Sequence, residues 1–145
     1  MPIRQFVTFD VANQFFGVAV GDVQEVLLNE VYTPLPFAPP AYGGLFNLRG
    51  EVVGTVDLRA RFGLPARTTS GPVLNVIVLV DGEPVSLLVD RIGLVADLDD
   101  EAFETPPATL TGPNRAMVVG TYKTDGRLLL IIDVNECVNQ RQLAA

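Results

Sequence analysis

Apolar and polar residues alternate from the start of the chain. Val7, Phe9 and Val11 point one way, Phe6, Thr8 and Asp10 the other, the period-2 pattern of a half-buried strand. Ala12-Asn13-Gln14 turns this strand into residues 15–20, so the first element is a hairpin. The clearest hairpin pairs 73–80 with 85–89 across Asp81-Gly82. Asp-Gly suits a type I′ turn, which needs positive φ at both central residues. Residues 45–48 and 52–56 form another apolar pair, 92–98 a further strand, and 117–122 and 128–132 a last hairpin across Thr124-Asp125-Gly126. Asp22 and Glu25 have capping-box spacing and predict a short helix over 23–28. Asp57 caps a brief helix that Gly63 and Pro65 end, and Asp133 with Glu136 predicts a helix over 134–143. A proline-rich connector covers 34–40, and 66–72 read as an exposed loop. About nine or ten short strands with turn signals roughly every 8–12 residues give a sandwich or barrels. The chain is mostly β, and no internal repeat is evident although both halves are rich in hairpins.

A length of 145 residues suits one domain, or two small lobes sharing a core. Hydrophobic residues at 48% against 19% charged exclude a disordered chain. The net charge of −7, with ten scattered Lys and Arg, excludes a phosphate-tracking surface, so nucleic acid is no partner. Met1-Pro2-Ile3-Arg4-Gln5 has no apolar signal core behind it. The longest apolar runs fall far short of the roughly 20 residues that span a bilayer, so direct membrane insertion is not expected. The single Cys137 closes no intramolecular disulfide and packs on the apolar side of the terminal helix. These features point to a cytoplasmic protein.

The chain has no histidine. Ser-His-Asp and Cys-His nucleophilic sites lack their general base, and His- or thiolate-ligated zinc lacks its ligands. No catalytic residue, metal site or cofactor is expected. Asp99-Asp100-Glu101 with Glu104 reads as a solvated turn, since no calcium-loop spacing surrounds it. Gly43-Gly44 is no phosphate loop, because no lysine follows at the required spacing.

Asn47-Leu48-Arg49-Gly50-Glu51-Val52-Val53, followed by Val56-Asp57-Leu58-Arg59, places an arginine and a glycine between apolar strands. Gly50 allows a tight turn. Arg49 is either a turn residue that solvates the surface or a fork for carboxylate or carbonyl groups. Glu25 is either a capping-box partner of Asp22 or a partner for such a fork, and its two oxygens serve both.

These strings, in order with Leu35-Pro36-Phe37-Ala38-Pro39-Pro40, Gly44, Val23-Gln24-Glu25-Val26 and Val89-Asp90-Arg91-Ile92, resemble the CheW family over about residues 4 to 140. The resemblance implies two small five-stranded β-barrel lobes side by side, with an apolar groove between them and a short C-terminal helix. One CheW-like domain would span residues 1–145, its lobe boundary near 65–72 and its C-terminal segment returning to the first lobe. It implies a non-catalytic adaptor joining a chemoreceptor's cytoplasmic tip to the regulatory domain of a CheA-type histidine kinase. Val23, Glu25, Val26 and Arg49 would face the receptor, Gly44 and Gly50 would shape the turns beside them, and Val52, Val53 and Val56 would face the kinase. The alternatives are a kinase's own regulatory domain of the same fold, or a small β-barrel ligand-binding protein or enzyme.

Overall fold

The computed structural model describes residues 3–28, 33, 41–66, 74–106 and 113–138. The strands are β1 (Ile3–Val11), β2 (Gln14–Ala19), β3 (Val23–Leu28), β4 (Tyr42–Leu48), β5 (Glu51–Asp57), β6 (Leu74–Val80), β7 (Glu83–Val89), β8 (Arg91–Asp99), β9 (Val118–Thr124) and β10 (Arg127–Ile132). Two single-turn helices, α1 (Leu58–Arg61) and α2 (Val134–Cys137), follow β5 and β10. The first sheet has the order β8-β1-β2-β10-β9 and the second β3-β6-β7-β5-β4. The chain is thus mostly β, in two five-stranded sheets.

Three expectations change. Residues 23–28 are strand β3, not a helix, and the preceding 3-10 turn is Val20–Asp22. Capping-box spacing lost to tertiary pairing, because β6 offers these residues a ladder from Val23↔Val78 to Leu28↔Leu74. The ladders do not close into barrels among the described residues, since no strand joins β8 to β9 or β3 to β4. Single bridges do the joining instead: Thr33, beyond β3, meets Leu45 on β4, and Glu104, beyond β8, meets Thr121 on β9. Finally, the 65–72 segment separates nothing, because the strands on either side of it, β5 and β6, belong to one sheet. The chain changes sheet around Val20–Asp22 and at Asp90. The connector at 34–40 and most of the predicted loop at 66–72 lie outside the described residues, as does the predicted helix beyond residue 138.

The two sheets repeat one design. Each runs antiparallel, antiparallel, parallel, antiparallel across its order. Asp57, the last residue of β5, and Asp133, just after β10, each stand at the end of the fourth strand and cap a short helix through a carboxylate oxygen that accepts from Arg59 N and from Asn135 N respectively. Asp57 N donates to Ala41 O and Asp133 N to Met117 O, both at 2.8 Å. The Asp81-Gly82 and Ala12-Asn13 turns are also equivalent, with φ of 51° and 79° against 48° and 68°. Both are type I′ hairpin turns, as the sequence predicts for Asp81-Gly82. The repeat is circularly permuted: the second sheet takes β3 to β7 in one stretch, the first takes β8 to β10 and then β1 and β2 from the start of the chain.

Three apolar clusters follow from this arrangement. Phe6, Tyr122, Leu129 and Ile131 fill the first sheet's own core. Phe46, Leu48, Val53 and Ile77 fill the second's. A larger cluster, including Phe9, Phe16, Val18, Val76, Val78 and Leu87, joins the two sheets. Each strand therefore shows alternate residues to different cores, which its period-2 pattern allows.

Candidate functional site

The Arg49-Gly50 pair is the two-residue loop of the β4–β5 hairpin, closed by the Leu48↔Glu51 pairing. Both residues have positive φ, 50° and 86°. That is the type I′ conformation, and it is unfavourable for an arginine by about 1–2 kcal/mol. Asn47 Oδ1 accepts from Gly50 N at 2.8 Å and braces the loop. The turn sends the Arg49 side chain across to strand β3, where its guanidinium donates to Glu25 Oε1. That hydrogen bond holds the Glu25 carboxyl below its ordinary pKa, against a smaller opposing effect of desolvation.

The structure thus joins Glu25, Arg49 and Gly50 in one corner. Val26, on the same strand as Glu25, is exposed, whereas Val23 packs against the inter-sheet core. Gly44 shapes no turn: it lies within β4 at a register shift, with a φ of 145° that suits glycine. Among the proposed kinase-facing residues, only Val52 is on the surface, at 70% exposure. Val53 is fully buried in the second sheet's core and Val56, 1% exposed, in the inter-sheet cluster. Adjacent positions on a strand face opposite ways, and here one of those ways is a core.

A cleft of about 400 Å³ does lie between the sheets. Its walls include Arg4, Phe6, Asp22, Leu79, Asp81 and Asp133, and none of Val23, Glu25, Val26 or Arg49. It is more acidic than the apolar groove that the sequence implied.

Sequence reasoning missed several features. Leu94 is 87% exposed at a bulge in edge strand β8, and Val95 beside it is also exposed. Thr8 Oγ1 donates to Leu94 O at 2.6 Å, and a side chain at Gly93 would strike that hydroxyl. The small glycine and the threonine therefore build the bulge that presents Leu94. Two strings noted only as landmarks prove to be partners: Arg59 and Asp90 form an ion pair at 2.7 Å. Asp90 also accepts from Ala12 N at 2.7 Å, while Arg59 donates to Pro65 O. This tie fastens the crossover between the sheets to the β1–β2 turn and to α1. Arg61, buried, donates to the carbonyls of Cys137 and Glu136, both at 3.0 Å, and satisfies the end of α2. Burial pushes the Cys137 thiol up to about 12, so it stays protonated. Among the described residues no group of three or more His, Cys, Asp or Glu is placed to hold a metal ion. No helix among them is long and apolar enough to cross a membrane.

A family model described as the CheW-like domain matches residues 5–142. The chain belongs to the CheW family. Among relatives, it is 27% identical over 143 residues to the chemotaxis protein CheW of Treponema pallidum, covering 96% of this chain and 84% of that one. It is 28% identical over 132 residues to the chemotaxis protein CheW of Rhizobium meliloti, covering 91% and 85%. The crystal structure of the scaffolding protein TtCheW from Thermoanaerobacter tengcongensis superposes with a TM-score of 0.87 at 32% identity, covering 96% of this chain and 94% of that one. CheW-type proteins are scaffolds of chemotaxis, and this chain has their fold over almost its whole length.

Proposed function

We propose that this chain is a non-catalytic adaptor that couples the cytoplasmic tip of a chemoreceptor to the regulatory domain of a CheA-type histidine kinase in the bacterial cytoplasm. The observation that carries this reading is the near full-length likeness to a scaffolding protein of known structure. The likeness supports the class, and the exposed residues support the roles read within it. The Glu25–Arg49 corner, with Val26 beside it and Val23 behind, is the receptor-facing edge. Gly50 sets its shape by admitting the turn. Val52, on the strand that leaves this turn, is the kinase-facing contact, and Val53 and Val56 support it from the cores.

Such an adaptor performs no chemistry. It transmits a coupling free energy, typically about 1–3 kcal/mol, between two docking events. The test is titration calorimetry of the full chain against the host's receptor tip and kinase regulatory domain. Arg49→Ala is expected to weaken receptor binding and spare kinase binding, and Val52→Asp to do the reverse. If both variants bind both partners as the wild type does, the assignment is wrong.

A further inference from the structure

Among the described residues, three hairpin turns put both central residues at positive φ: Ala12-Asn13, Arg49-Gly50 and Asp81-Gly82. Aspartate tolerates this region, whereas alanine and arginine resist it. In each turn that opens on a resistant residue, a side-chain oxygen takes an amide of the turn. Ala12 N donates to Asp90 Oδ2 at 2.7 Å, and Gly50 N donates to Asn47 Oδ1 at 2.8 Å.

The first sheet holds the counterpart of the Arg49 turn without such an oxygen. Leu48↔Glu51 closes the β4–β5 loop as Thr124↔Arg127 closes the β9–β10 loop, and both loops end in glycine. One pair further along the strands, Asn47 faces Val52 where Lys123 faces Leu128. Lysine offers donors and no acceptor, and the Lys123 ammonium pairs with Glu104 instead. In that loop only Gly126 is positive, at 75°, and Asp125 keeps a negative φ, as in a type II turn. The contrast runs against intrinsic preference: the tolerant aspartate takes the relaxed turn and the resistant arginine the strained one. The Glu25 ion pair is a weak restraint by itself, since the Arg49 side chain is 64% exposed. The Gly50 N–H belongs to the peptide that follows Arg49. Asn47 therefore fixes that peptide to β4, and with it the direction in which Arg49 leaves the backbone.

We propose that Asn47 is the positioning residue of the Glu25–Arg49 corner, holding the turn in the form that directs the guanidinium to Glu25. Its consequence for receptor binding rests on the docking reading for Arg49.

The test is NMR of the full chain beside calorimetric titration with the host's receptor tip. Asn47 is exposed, so Asn47→Ala leaves the cores untouched. It is expected to weaken the strong intraresidue HN–Hα NOE at Arg49 that marks positive φ. It is also expected to move the Glu25 carboxyl midpoint up towards 4.5 and to reduce receptor affinity several-fold, with kinase affinity unchanged. Asn47→Asp keeps an oxygen at the same reach and is expected to keep the NOE and most of the receptor affinity. If Asn47→Ala retains the wild-type NOE and Glu25 midpoint, the positioning role is wrong whatever the receptor does. If both signals change while Asn47→Ala and Arg49→Ala bind the receptor as the wild type does, the positioning role stands and the docking reading falls. Should Asn47→Ala fail to fold, Asn47→Val, a good strand former without an acceptor, decides by the same readouts.

Discussion

Arg49 and Glu25 belong to opposite ends of the second sheet's strand order, yet their side chains form an ion pair. Arg49 leaves the turn after edge strand β4 and Glu25 lies on edge strand β3, with three strands between them in the ladder. The sheet therefore curls until its edges meet through side chains, with Thr33↔Leu45 as the backbone contact of the same closure. A pair in this position sets the shape of an edge that would otherwise offer unpaired backbone groups.

Arg49→Asn should separate the fold from the corner. Asparagine tolerates positive φ better than arginine does, so the turn loses strain while the ion pair is lost. The expected melting temperature is equal to or above that of the wild type, with receptor affinity reduced more than about tenfold. Arg49→Lys should recover little, because a point charge does not reproduce a planar fork. Circular dichroism melts beside calorimetric titrations check both statements.

The pH response of this corner has a definite sign. The Arg49 hydrogen bond lowers the Glu25 pKa from 4.5, so the folded state favours the carboxylate. The pair's contribution is complete above that ordinary value and is lost as pH falls through the lower folded value. NMR titration of the Glu25 carboxyl should show a midpoint below 4.5, moving up towards it in Arg49→Ala. An unshifted midpoint in the wild type would remove the ion pair from solution.

Asp90→Asn should destabilise the whole chain more than it disturbs either partner surface. It weakens the acceptor shared by Arg59 and the Ala12 amide, both of them partly buried contacts at 2.7 Å. The expected loss is about 1–3 kcal/mol in a denaturant melt. A loss within a few tenths of zero would mean that the crossover is held elsewhere.

The second sheet should open before the first. Its core holds Thr55, Asn75 and Ser86 where register places Ile131, Phe6 and Gly17 in the other. Asn75 Nδ2 donates to Ser86 Oγ at 2.8 Å, but among the described residues Thr55 Oγ1 and Asn75 Oδ1 are buried without a hydrogen-bond partner, against the Tyr122 hydroxyl alone in the first sheet's core. Each such atom weakens its lobe, by about 1–3 kcal/mol. Hydrogen exchange should be faster for amides of β6 and β7 than for their counterparts in β1 and β2, and Thr55→Val should slow it in the second sheet only. Equal protection in both hairpins would show that the inter-sheet core unfolds as one unit.

The sequence by itself determined most of the strands, most of the turns and the absence of histidine chemistry. Period-2 alternation, Asp-Gly at 81–82 and the caps at Asp57 and Asp133 are local signals, each needing only its own neighbours. The ordered family strings pointed to the CheW family and to Arg49. Tertiary structure alone decided that residues 23–28 are a strand, because a capping-box pattern is outcompeted when β6 supplies a ladder. It decided which valine of 52, 53 and 56 meets solvent, since three apolar residues on one strand do not say which faces are cores. It decided that Glu25 serves Arg49 rather than a helix, and that Arg59 and Asp90 are partners, because those pairs are far apart in sequence and meet only when the strands of the second sheet have assembled. The repeat stayed hidden for a related reason. Its two copies share one hairpin turn, the caps and the register, which are backbone properties that many side chains satisfy, and the permutation splits one copy between the two ends of the chain.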